Sequence, residues 1–120
     1  MNAIFKPDTQ MTFERKVTFN MPGQAGGFTQ VSLPTTFRSV PKEELDELQQ
    51  ECHDSEAYAR VVLGVKLVGD DQGNELPAEA GKTAMAQVSS FVYEAMLTYY
   101  DVMLGGNLKQ KTSRRRRATG

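Results

Sequence analysis

The sequence predicts an α+β fold: an N-terminal antiparallel β-hairpin, two short helices, a short β-turn or hairpin segment and a long C-terminal helix, followed by a disordered basic tail. Three observations predict it. Apolar and polar residues alternate over Thr12–Asn20 and again over Phe28–Arg38, the period of a half-buried strand. The segment TFRSVPKEELDEL, Thr36–Leu48, hands a strand over to an acidic helix. From Lys82 to Leu104 apolar side chains recur at spacings of three and four.

The first strand places Phe13, Val17 and Phe19 on one face with Glu14 and Lys16 between them, and Arg15 interrupts that face. MPGQAGG, with three glycines and a proline, suits a flexible hairpin connection. The second strand carries Val31, Leu33 and Phe37 on one face. Pro34 has no N–H for a ladder, which predicts an edge strand or a bulge. At the junction, Pro41 fits the first helical position, where its missing N–H has no partner to lose, and Glu43, Glu44, Asp46 and Glu47 complement the helix dipole. Leu45, Leu48 and Cys52 form the inward stripe of that helix. His53-Asp54-Ser55 breaks it, with Asp54 or Ser55 as N-cap for a second helix over Glu56 to about Leu63, whose Ala57, Tyr58, Val61 and Val62 face inward. A short strand follows from Val65, and DDQGN at 70–74 reads as a surface turn.

The last helix is expected to run unbroken from Lys82 to Leu104, about 34 Å at 1.5 Å per residue, and to stop at Gly105-Gly106. Met85, Val88, Val92, Met96, Tyr99 and Met103 make its stripe, with Ala95 beside them and Phe91, Leu97, Tyr100 and Leu104 widening it. Core packing is the simpler reading of such a stripe. The sharper reading makes it a partner-binding face, because flexible, polarisable methionine suits an adaptable surface.

A chain of 120 residues with 39% hydrophobic residues is expected to form one domain, residues 1–108, with a basic tail at 109–120. The charge is unevenly spread. Lys109, Lys111, Arg114, Arg115, Arg116 and Arg117 supply six of the 14 basic residues, leaving eight against 15 acids and a body at −7. The tail has too little apolar surface to order itself. It is the candidate contact for nucleic acid or an acidic partner, although the acidic body repels a duplex, so nucleic acid is not the expected partner. No apolar run reaches the roughly 20 residues of a membrane span, and MNAIFKPDTQ does not read as a secretory signal. One cysteine excludes an internal disulfide, which points to a reducing, intracellular setting.

Catalytic chemistry finds little to work with. Cys52 and His53 are adjacent, and neighbouring helical positions point about 100° apart, too far for a nucleophile–base pair. A zinc site needs more His and Cys than one of each. Asp70–Glu75 lacks the alternating oxygens and distant glutamate of a calcium loop, and the glycines at 23–27 lack the lysine and helix of a phosphate loop. No enzyme activity, cofactor or metal is expected.

The order of these elements resembles the small tail assembly chaperones of tailed bacteriophages. Phe37, Arg38, Pro41, Glu44, Leu45, Leu48, Gly64, Val68, Asp71, Gly73 and Pro77 carry the resemblance, which spans about residues 12–112. Val65 stands where the family has tryptophan, and Ala78–Lys82 replaces the usual start of the last helix. The resemblance implies a chaperone in the host bacterial cytoplasm that binds the helical tape-measure protein, keeps it soluble and helps bring tail-tube subunits onto it. Two other readings stand beside it: a structural tail or connector protein of the virion, and a small nucleic-acid-binding protein acting through the arginine-rich tail. A homo-oligomer through the stripe or the edge strand is a further expectation.

Overall fold

The alternating segments form the framework of the structure. In a computed structural model, which describes residues 4–106, β1 (Thr12–Pro22) and β2 (Phe28–Arg38) pair antiparallel over 11 residues each, from Thr12 opposite Arg38 to Pro22 opposite Phe28. Cross-strand partners share a face, so the register puts Phe13 with Phe37, Val17 with Leu33 and Phe19 with Val31 on one side. Glu14, Lys16 and Thr18 face solvent on the other. The connection closes with Gly26 and Gly27 at φ of +93° and +70°, a conformation that glycine adopts without penalty.

Arg38 ends β2 and ties the junction together. Its guanidinium donates to the Arg60 carbonyl at 2.6 Å and to Glu44 at 2.9 Å, and its own carbonyl accepts the Tyr99 hydroxyl at 2.9 Å. α1 (Lys42–Glu51) starts one residue later than expected, with Pro41 as the extended N-cap and its carbonyl accepting the Leu45 N–H. Cys52 and His53 are both extended, so α2 (Asp54–Val61) leaves at an angle, and its N-cap is His53 rather than Asp54 or Ser55.

Two expectations about the strands are corrected. The third strand, β3 (Val62–Val65), begins immediately after α2 and pairs antiparallel with Thr35–Phe37, so it starts three residues before Val65. The sheet order is β1-β2-β3, which makes β2 central, with its bulge at Thr36–Phe37 and not at Pro34. The proline is tolerated for a local reason. Its carbonyl accepts the Lys66 N–H, so its backbone groups face β3, and β3 stops there. Beyond Pro34, β2 is an edge again.

The single long C-terminal helix is also corrected. α3 (Ala78–Met85) and α4 (Ser89–Met103) are separate, joined by a tight turn at 86–88 in which Val88 is extended and donates to the Met85 carbonyl. The three-residue step from Met85 to Val88 continues the helical spacing through the turn, which is why periodicity alone does not reveal the break. α4 ends as expected, at Gly105 and Gly106 with φ of +83° and +84°. The 70–74 turn is a small hairpin closed by a bridge between Gly69 and Glu75.

The helices cover one face of the sheet. Leu45 and Leu48 of α1, Tyr58 and Val61 of α2, and Phe91, Ala95, Met96 and Tyr99 of α4 bury with Val17, Phe19, Leu33 and Phe37. Phe13, Phe37 and Tyr99 form an aromatic triangle with centroids 5.5–6.0 Å apart, and Phe91 meets Phe19 and Tyr58 edge-on. The Tyr58 hydroxyl donates to the Lys82 carbonyl at 2.8 Å, fastening α2 to α3.

Burial pushes the Tyr58 and Tyr99 phenols well above their ordinary value of 10.0. The unfolded chain therefore ionises first as pH rises, and binds fewer protons than the folded chain above that value. Stability that is complete below about pH 10 should then fall with increasing pH, by up to about 1.4 kcal/mol per phenol per pH unit. Urea midpoints measured from about pH 8 to about pH 11 should show this fall, and Tyr58→Phe should make it shallower.

Candidate functional site

The proposed binding stripe divides on folding. Val92, Met96 and Tyr99 are buried, and Met103 packs half-buried against the core. Val92, Met96 and Tyr99 cannot form an open face, because α4 turns that side onto β1 and α2 and Phe13 stacks on Tyr99. The expectation of a continuous partner-binding face along this helix is corrected accordingly. Met85 and Val88, at the α3–α4 turn, stay partly accessible. Lys109, Lys111 and Arg114–Arg117 lie outside the described residues.

What Met85 and Val88 do form is one wall of an apolar groove of about 240 Å³. Its floor is the distal half of the hairpin, Phe19 and Met21 from β1 and Val31 and Leu33 from β2. Leu67 and Val68 close the remaining side. The groove follows from two features of the fold. β3 ends at Val65, so among the described residues no strand pairs with the side of β2 away from β1 beyond Pro34, and the helix breaks at 86–88, beside Met85 and Val88.

The lip of the groove is locally strained. Leu67 has φ of +64°, the only non-glycine residue with positive φ among the described residues, and a branched apolar side chain in that region costs about 1–2 kcal/mol. Its side chain is 62% exposed. The Glu75 carboxylate accepts the Leu67 N–H at 3.3 Å, and the Val68 carbonyl accepts the Leu76 N–H at 2.7 Å, so the 69–75 hairpin holds the lip in place. Backbone strain and exposed apolar surface thus coincide at the lip of the groove.

Two other depressions mix polar and apolar walls. One, about 330 Å³, is bordered by His53, Asp54, Ser55, Ala86, Ser89, Val92 and Tyr93. The other, about 480 Å³, lies around Gln10, Thr12, Ser39 and Leu63, with Arg38 and Glu44 already committed to each other. Desolvation pushes the Cys52 thiol up, away from the reactive thiolate, with Arg60 opposing in part. Among the described residues no group of three or more His, Cys, Asp or Glu is placed to hold a metal ion, and no helix is long and apolar enough to cross a membrane. No known protein family, curated protein or solved structure matches the chain.

The groove was only half visible in the sequence. Met85 and Val88 were singled out, but as part of a longer stripe. The hairpin brings Met21 and Val31 to one floor, but Leu67 and Met85 lie far along the chain, and only the tertiary fold sets them beside it.

Proposed function

We propose that this chain is a non-catalytic assembly chaperone of a tailed bacteriophage, acting in the host bacterial cytoplasm, and that it holds its client through the groove between the hairpin tip and the α3–α4 turn. The observation that carries the reading is the groove itself: an apolar recess with two methionines in its walls and a strained, exposed leucine at its lip. Such a surface accepts apolar side chains of varied shape, as a client of changing conformation requires. The resemblance of element order to tail assembly chaperones supplies the client class, the tape-measure protein, and the tail-tube subunits as the second partner. Many copies along one long helical client would add avidity to a small contact.

Co-expression with the tape-measure protein of the same phage should raise that protein's soluble yield and allow co-purification. Met85→Asp should remove both effects while far-UV circular dichroism and the melting temperature stay close to those of the parent, because Met85 is already partly hydrated. Loss of the fold in this variant, or an unchanged yield from the parent chain, would count against the groove as the client site. The outer edge of β1, unpaired among the described residues, favours the structural-virion reading as the second choice. Detection of the chain in purified particles would select it.

A further inference from the structure

We propose that the groove is also the dock for the N-terminal arm of a second copy of this chain, which adds as a short strand to the exposed half of β2 with Phe5 seated in the groove. The two surfaces are complementary. β3 leaves β2 at Pro34, and by the alternation of an antiparallel ladder the backbone groups of Gln30 and Ser32 point to the same vacant side as those of Pro34. An unpaired edge bordered by an apolar recess is the template for strand addition, in which main-chain hydrogen bonds give affinity and alternate side chains fill pockets.

The arm supplies what that template takes. Residues 4–10 have no helix or strand, and Ile4 and Phe5 are 95% and 84% exposed, the two most exposed large apolar side chains described. In an added strand, successive side chains fall on opposite faces. Phe5 then enters the groove, and Ile4 reaches the other face of the sheet, where Phe28 stands 75% exposed at the hairpin tip. Lys6 follows the apolar pair, and the lip of the groove continues into the acidic hairpin of Asp70, Asp71 and Glu75. Pro7 ends the added ladder because it has no N–H to offer.

The chain's own arm does not reach. It leaves the fold at Met11, which exchanges hydrogen bonds with Ser39. Met11 and Phe19 are eight residues apart along β1, about 26 Å, whereas Ile4 and Met11 span at most about 25 Å when fully extended. The open side of β2, where an added strand would pair, lies farther still, across that strand. The donor is therefore another copy, and the arm-to-groove contact either closes into a ring, reciprocal exchange between two copies being the smallest, or runs on as an open chain. The arm occupies the groove that the proposed client uses, so self-association and client binding compete. The arm contact itself does not depend on the client's identity.

Sedimentation velocity of the full chain alone, across a micromolar concentration series, tests it without any client. The parent should grow in mass with concentration. Phe5→Asp, which alters a side chain without fold contacts, should weaken association at least about tenfold, the change carried by burial of one aromatic side chain. A groove variant with an intact arm, Val31→Lys, should also sediment as a monomer, and mixing it with Phe5→Asp should give a species of two copies and nothing larger. A labelled peptide of residues 4–10 should bind the Phe5→Asp protein, so the test stands even if Val31→Lys fails to fold. A parent that remains monomeric, a Phe5→Asp variant that associates as strongly as the parent, or a peptide that does not bind overturns the proposal, and none of these touches the client reading.

Discussion

Met96→Asp is expected to unfold the protein rather than to silence a binding face. Met96 is fully buried on α4, between the sheet and α2. Truncating a buried methionine costs about 2–5 kcal/mol through lost burial and the cavity left behind. An unpaired buried carboxylate adds several kcal/mol more. Domains of this size are stable by only about 5–15 kcal/mol, so the two costs together consume most or all of the available stability. The expected result is loss of the cooperative thermal transition and of near-ultraviolet dichroism, with insoluble expression. Met96→Leu, which keeps apolar volume, should cost less than about 1.5 kcal/mol. The contrast with Met85→Asp, 11 positions earlier on the same sequence stripe, separates core from groove. If Met96→Asp folds normally, α4 does not pack as described.

Gly81→Ala should lower stability, reversing the usual effect of that change in a helix. In an exposed helix interior, alanine is favoured over glycine by about 1 kcal/mol. Here an added Cβ would lie 2.2 Å from the Val65 carbonyl oxygen and 3.3 Å from the Val68 side chain. The first contact is with backbone, so α3 as a whole must move off β3. Gly64 makes the same demand from the other side, since its Cβ would lie 2.8 Å from that of Ala78. Overpacking of this kind costs about 1–3 kcal/mol, enough to outweigh the gain in propensity. A fall in melting temperature on the order of 10 °C is expected, and Gly81→Val should be worse. The displacement should also loosen the groove, because Val68 and Met85 sit on the two elements that are pushed apart. A rise in melting temperature for Gly81→Ala would show that β3 and α3 do not meet this closely.

The parts that were legible in the sequence are those governed by local rules. Phe13, Val17 and Phe19 alternate because one face of β1 is buried and the other is wet, and a register follows from that alone. Leu45 and Leu48 mark the inward side of α1, and the glycines at 105 and 106 stop α4 by conformation. The parts that were missed depend on distant residues. Gly81 looks like a mild defect in a helix until Val65 is placed against it. Pro34 points to an edge strand, yet β2 is central over one half and an edge over the other, a distinction set by where β3 ends. Met85 and Met96 share one periodicity and have opposite surroundings, because a three-residue turn continues the helical spacing while redirecting the chain.

The hydrogen bond from Tyr99 to the Arg38 carbonyl joins residues 61 positions apart, and it has a consequence for the order of events during synthesis. Residues are added at about 5–20 per second, so about 3–12 seconds separate the appearance of Arg38 from that of Tyr99. Through that interval the hairpin can pair, but Val17, Phe19, Leu33 and Phe37 have no α4 to cover them. Completion of the fold must wait for α4 to leave the ribosome, and the newborn protein spends those seconds with its own sheet open to whatever apolar surface is nearby.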